Sequence, residues 1–284
     1  MHPKDFVYPT KRIIEISRGN TIIRIRQISD THHKGDGFRD DLFKKFVDTQ
    51  RKDKNSYWIH TGDIGNPDRN SRREIDNYAN ANRKDEIITQ NEKNKLWVEH
   101  FIIPEYEKIK DSCLGMIAGD HYMVIDGEPC TKYICKRLNI PYIDERMGFV
   151  NVSLHSDTQS MQYIIHARHG RSASATHSGD VASLVKQDVQ IFADLHLGGH
   201  THRQNTHTQK MRYITERGNI RERITCYMRG GSFLDNPGYA KKAEYTPLPC
   251  GWGEVELTIG RMYHGNGKSR PLEISMVKAS IISA

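Results

Sequence analysis

TIIRIRQISDTH (residues 21–32) is the stretch from which the fold can be read. It alternates apolar and polar residues over the length of a strand and then ends in Asp30-Thr31-His32, residue types that bind metals and carry protons. Three further apolar runs end the same way. YWIHTGD (57–63) closes on Gly62-Asp63, CLGMIAGDH (113–121) on Gly119-Asp120-His121, and VQIFADLHLGGHTH (189–202) on Gly199-His200-Thr201-His202. A fifth run, MQYIIHAR (161–168), is followed by His169-Gly170. In layered α/β folds, ligands bind outside the carboxyl ends of strands. A glycine beside the ligand residue lets the backbone turn sharply there.

Outward from these runs, helix and strand patterns alternate. KRIIEIS (11–17) and residues 21–29 flank Arg18-Gly19-Asn20, which predicts a hairpin. Phe38, Leu42, Phe43, Phe46 and Val47 form one stripe and predict a helix over 38–51. A long helical stretch runs to about residue 110 with a break at Pro104, and a capped helix is expected from Asp126 to Leu138 with Pro129 near its first turn. FVNVSLH (149–155) reads as a strand and 178–187 as a helix. Beyond residue 210 the segments MRYIT, RITCYMR, GEVELTI and LEISMV are strand-like. Alternating elements followed by strands imply a layered α/β sandwich with a mixed sheet. A single domain over 1–284 is expected, with its core at about 20–235 and a β-rich C-terminal extension at about 236–284.

Composition narrows the partners. The chain has 284 residues, 15 histidines, and 42 Lys and Arg against 35 Asp and Glu, for a formal charge of +7. A basic balance admits anionic partners. No apolar run approaches the roughly 18 residues of a membrane span, so no membrane partner is expected. The start MHPKDFVYPT lacks the apolar core of a signal peptide, and the five scattered cysteines read as reduced thiols. Both point to the cytoplasm.

Carboxylates and imidazoles together offer mixed oxygen and nitrogen ligands, which suit Mn, Fe, Zn, Ni or Co better than Ca or Mg alone. An extended Asp30-x-His32 would put both side chains on one side, toward one ion. His200 and His202 straddle Thr201 and reach two adjacent ions.

The ordered set Asp30-Thr31-His32, Gly62-Asp63, Gly119-Asp120-His121-Tyr122, His169 and Gly199-His200-Thr201-His202 closely resembles the calcineurin-like metallophosphoesterases. Their pattern is D-x-H, G-D, G-N-H-[D/E], H and G-H-x-H. The resemblance spans residues 20 to 235, and YWIHTGD, HARHGRS and GGHTHR look most like the phage and prophage branch. It implies a four-layer α/β/β/α sandwich with mixed sheets and two divalent transition-metal ions, manganese foremost. Asp30, His32 and His202 would hold the first ion, with Asp63 bridging to the second. Asp120, His169 and His200 would complete the second site, with His166 as the rival to His169 on the same strand. His121 would protonate the leaving oxygen while a hydroxide between the ions attacks phosphorus.

Two positions depart from the family pattern. Asp120 stands where asparagine is usual and adds a negative charge, so Asp120→Asn is expected to raise the rate. Tyr122 replaces a carboxylate and cannot support a protonated His121. The G-D-x-x-D-R-G text of protein phosphatases is displaced here, in Gly62-Asp63-Ile64-Gly65-Asn66-Pro67-Asp68-Arg69, which disfavours that monoesterase branch. A binding protein that has lost catalysis is the rival of another class. The remaining histidines, among them His33, His100, His155 and His207, read as surface or satisfied core residues.

The segment Arg203–Arg229 carries Arg203, Lys210, Arg212, Arg217, Arg221, Arg223 and Arg229 against Glu216 and Glu222. Phosphate backbones attract such a patch, while outward-facing residues that keep a sheet soluble would look the same. The patch tips the expected substrate toward a phosphodiester, nucleotide or nucleic acid, with Arg168, Arg171 and Arg203 as candidate phosphate contacts.

Overall fold

Strand β2 (Thr21–Ile28) buries Ile23, Ile25 and Gln27 on one face and Arg26 and Ile28 on the other. A strand covered on both faces needs a layer above and below it. The computed structural model, which describes residues 10–16, 21–65, 84–156, 159–170, 176–188, 191–214, 218–235, 248–263 and 269–283, supplies both layers.

β2 lies inside a mixed six-stranded sheet with β3 (Ser56–His60), β4 (Cys113–Ile117), β7 (Tyr142–Asp144), β13 (Gly251–Tyr263) and β14 (Ser269–Ser283), in the order β14-β13-β2-β3-β4-β7. A second mixed sheet holds β1 (Thr10–Glu15), β8 (Met147–Ser156), β9 (Gln159–Arg168), β10 (Leu195–Gly198), β11 (Gln204–Ile214) and β12 (Ile220–Gly230), in the order β1-β8-β9-β10-β12-β11. The sheets pack face to face through Ile23, Ile25, Ile59 and Leu257 on one side and Val152, Ile165, Leu195 and Met228 on the other. Helices α1 (Asp40–Lys52), α2 (Lys84–Trp97), α3 (Ile103–Glu107) and α4 (Cys130–Leu138) follow in sequence. Phe43 and Phe46 of α1, Tyr106 of α3 and Ile134 of α4 join Ile28 and Trp58 in a second core on the outer face of the first sheet. Helix α5 (His177–Asp188) buries Leu184 on the outer face of the second sheet. The result is the expected α/β/β/α layering.

β2, β3 and β4 run parallel, as do β9, β10 and β12. Their carboxyl ends therefore meet at one rim of the sandwich. Gln27 holds that rim together from inside: its Nε2 donates to Thr61 Oγ1 at 2.9 Å and Gly198 O at 2.6 Å, and its Oε1 accepts from Gly230 N at 3.0 Å.

Several local expectations are corrected. β1 and β2 form no hairpin: β1 pairs parallel with β8 in one sheet, while β2 sits between β13 and β3 in the other. A two-stranded ribbon could not have covered both faces of β2 (residues 17–20 lie outside the described residues). Asp126 starts a turn and not a helix. Asp126 and Gly127, at φ 53° and 81°, link the short strands β5 (Val124–Ile125) and β6 (Glu128–Pro129), and α4 begins only after Pro129. The break expected at Pro104 falls just before it, as a π-helical turn over Val98–Ile102. In the run over 189–197, whose first two residues lie outside the described residues, strand begins at Leu195. Within the segment read as an extension, about 236–284, β13 (Gly251–Tyr263) and β14 (Ser269–Ser283) belong to the first sheet, with β13 directly beside β2.

Replacing Gln27 by leucine keeps the side-chain volume but strips Gly198 O and Gly230 N of a buried partner. We expect it to cost about 3 kcal/mol of stability, each stranded group costing roughly 1–3 kcal/mol. Urea unfolding of the two proteins measures this, and an unchanged midpoint would remove Gln27 as the inter-sheet clamp.

Candidate metal centre

Each loop at the rim is tied to the next by its own backbone. Asp30 N–H donates to Gly62 O at 2.9 Å and His32 N–H to Asp63 O at 3.0 Å, while Asp63 N–H donates to Ala118 O at 2.9 Å. Gly119 N–H then donates to Glu145 O at 2.9 Å, His169 N–H to Arg146 O at 2.8 Å, and Gly199 N–H to His169 O at 2.8 Å. His200 N–H closes the ring on Asp30 Oδ2 at 2.9 Å. This belt needs sharp turns, and Asp30, His32, Asp63, His200 and His202 all have φ between 41° and 71°. Asp30-Thr31-His32 is thus not the extended segment expected from the spacing. Non-glycine residues take this left-handed region at a cost of order 1–3 kcal/mol each, and such strain gathers at functional sites.

The side chains converge inside the belt. Three overlapping groups have ligand atoms within 4.8 Å of one another: Asp30, His32 and His202; Asp120, His169 and His200; and Asp30, Asp63 and His169. All seven residues expected as ligands are therefore together, and His200 and His202 fall in different groups. Asp63 Oδ1 accepts the Asp120 and His121 N–H groups at 2.8 Å each, which leaves Oδ2 to face His169 Nε2 at 3.2 Å and His32 Nε2 at 3.7 Å. Two glycines are required here. A Cβ on Gly62 would lie 2.4 Å from His169 Nδ1, and one on Gly119 would lie 2.2 Å from Asp63 Oδ1.

His166 goes elsewhere. It is buried against Phe149 with its Nδ1 3.3 Å from His196 Nδ1. His169 Nδ1 lies 2.8 Å from Thr61 O. A carbonyl only accepts, so Nδ1 carries a proton and Nε2 points inward at Asp63 Oδ2. His169 Nε2 and Asp30 Oδ1 are buried, 3.2 Å from Asp63 Oδ2 and 3.4 Å from His202 Nε2. Buried carboxylates and imidazoles that converge on one another offer a mixed oxygen and nitrogen donor set that fits a bound cation.

The charges reinforce one another. Burial opposes the ionised form of Asp30, but His202, His169 and His32 outweigh it and hold the carboxyl well below its ordinary range. Asp63 is likewise held at about 2, against its burial, chiefly by His169. Burial drives His32 down to about 4. The same burial acts on His169, where Asp63 overcomes it and raises the group to about 10.

The ring of His121 lies 6.1 Å from that of His32 and is half-buried at the mouth. Tyr122 is buried in the helix-side core, so it does not take the place of the missing carboxylate. Arg168 is buried, with 7% exposure. Arg203 is half-buried one residue past His202, and Arg171 lies outside the described residues.

Four of the basic segment's seven cations lie beside acids. Buried Arg229 lies 3.4 Å from Asp180 and donates to Gly199 O at 2.7 Å, bracing the loop that carries His200. Arg223 pairs with Asp194, and Lys210 and Arg212 with Glu222. Arg217 lies outside the described residues.

His60 and Thr31 have roles that the motif reading did not include. Gly62 N–H donates to His60 Nδ1 at 3.1 Å, so His60 Nε2–H donates to Thr31 Oγ1 at 3.1 Å, and Thr31 Oγ1–H donates to Ile64 O at 2.9 Å. The chain locks the Asp30 and Asp63 loops together and requires a neutral imidazole. Ser29 Oγ also donates to Asp30 Oδ2. A histidine at the inner end of the buried run YWIH was the visible signal. His33 is a core residue, packed on Phe38 and Phe43 and hydrogen-bonded to Tyr106.

No protein-family model matches the chain, and no curated protein matches it. Among solved structures the chain is similar to Vps29 of Chaetomium thermophilum, at 12% identity and a TM-score of 0.37, over 91% of this chain and 95% of that one. Among the described residues, no helix is long and apolar enough to cross a membrane.

Burial lowers His60 from 6.5 to about 3. The unfolded chain therefore takes up this proton below about pH 6.5 while the folded chain does not, so stability falls as pH drops from there toward 3. His60→Asn, which keeps an acceptor for Gly62, should be less stable at pH 7 by about 1–2 kcal/mol. Its loss of stability between pH 6.5 and 4 should be shallower by about 1.4 kcal/mol per pH unit, the share of one proton. Denaturant melts at several pH values measure both, and parallel pH profiles would refute a buried neutral His60.

Proposed function

We propose that the chain is a phosphoester hydrolase that works with two divalent metal ions, manganese foremost, with iron, zinc, nickel or cobalt as alternatives. The observation that carries this reading is the convergence of three carboxylates and four imidazoles in overlapping groups, with His169 Nε2 and Asp30 Oδ1 buried among them. Asp30, His32 and His202 would hold one ion, and Asp120, His169 and His200 the other, with Asp63 Oδ2 facing both groups. When bound, such ions supply Lewis acidity toward phosphoryl oxygens and lower the pKa of water.

The chain's own residues do the rest. The Thr61 carbonyl fixes the His169 tautomer, and the Asp120 and His121 amides fix the rotation of the Asp63 carboxylate. His121, whose ring lies 6.1 Å from that of His32, would give a proton to the departing oxygen. The basic segment suggested a diester or nucleic-acid substrate. Four of its cations lie beside acids, which weakens that preference, and Arg203 stands one residue past His202.

The test is hydrolysis of bis-p-nitrophenyl phosphate, p-nitrophenyl phosphate and linear DNA by metal-reconstituted protein. Diester hydrolysis is expected, abolished in Asp63→Ala and about 10²–10⁴-fold slower in His121→Ala, the range for a lost general acid. Equal rates in wild type and Asp63→Ala would refute the metal mechanism, and activity on the monoester alone would remove the diester preference.

A further inference from the structure

Asp120 carries a charged partner from outside the ligand cluster. Arg146 Nη2 lies 3.0 Å from its Oδ1, while its Oδ2 faces His200 Nδ1 at 3.8 Å. The position of Arg146 is fixed by backbone. It follows Glu145 in the turn between β7 and β8, and that turn is part of the belt: Glu145 O accepts Gly119 N–H and Arg146 O accepts His169 N–H. The turn therefore joins the loop of Asp120, from one sheet, to the end of β9, from the other. With a side chain 45% exposed, the guanidinium also reaches solvent at the mouth of the centre.

We propose that Arg146 is the counter-charge of this centre. It neutralises the carboxylate of Asp120, so that this half of the site has the charge of one built with a neutral amide. It also presents a fixed cation to the phosphate that enters, which makes it a positioning residue for the anion. The inference rests on the dinuclear reading above. It also changes the expectation for Asp120→Asn, since that substitution leaves Arg146 unpaired beside the second metal and weakens metal binding there.

The experiment titrates Mn²⁺ into the full chain, and inorganic phosphate into the Mn²⁺-loaded protein, by calorimetry. The proteins are wild type, Arg146→Gln, Arg146→Lys, the double variant Arg146→Gln with Asp120→Asn, and Asp63→Asn. Arg146→Gln should tighten the weaker Mn²⁺ step about fivefold and weaken phosphate about fivefold, the low end of site-to-site coupling for partly screened charges. Arg146→Lys keeps the charge and should stay within about twofold of wild type in both. Adding Asp120→Asn to Arg146→Gln restores the net charge and should reverse the Mn²⁺ change, while the phosphate loss stays because the positioning cation is still missing. The inference is overturned if Arg146→Gln is silent, if the lysine variant behaves like the glutamine variant, or if Asp120→Asn reverses nothing. If Asp63→Asn loses Mn²⁺ while Arg146→Gln is silent, only this inference fails. If wild type binds no Mn²⁺, or Asp63→Asn binds it unchanged, the metal reading fails and this inference with it.

Discussion

A closed ring of main-chain hydrogen bonds runs through Asp30, Gly62, Asp63, Ala118, Gly119, Glu145, Arg146, His169 and Gly199, and returns through the His200 amide to Asp30 Oδ2. Each loop in it follows a strand, and the strands come from both sheets. Buried amides and carbonyls must find partners, and at this rim they find them in the neighbouring loop. The ring fixes the backbone, and with it the origin of every ligand-type side chain.

The ring is strained, and the fold around it offsets that strain. Five ligand-type residues sit in the left-handed region, which the chain would leave if the loops were free. Gln27 bonds both sheets from within the apolar layer. His60 and Thr31 lock the first two loops, and buried Arg229 braces the fourth against Asp180. These groups are polar, buried and nearly all paired, the arrangement in which low dielectric strengthens a network. Electrostatics adds direction: carboxylates stay ionised because imidazoles face them at short range, and a divalent ion would find that field already formed.

Much of this was legible along the chain. Each of the runs ending in Asp30, Asp63, Asp120 and His200 holds a buried strand, the last of them only over Leu195–Gly198, because a strand covered on both faces is written as an apolar run. The stripe from Leu42 to Val47 is a helix face. Errors came where local and long-range pairing compete. Arg18-Gly19-Asn20 is a fair hairpin signal, yet β2 takes its neighbours from residues 56–60 and 251–263. Arg229 read as part of a basic patch because charge is visible in a sequence and burial is not.

The sequence by itself determined the layered class, the strand ends that carry chemistry, and the residue types that meet there, since periodicity and residue chemistry are local properties. Only the tertiary structure decided that His169 and not His166 faces the centre, that Asp30 and His32 meet through left-handed turns, and that Arg146 answers the charge of Asp120. Those outcomes depend on which segments lie side by side after two sheets close on one core. Such contacts join residues tens to hundreds of positions apart, and no spacing along the chain encodes them.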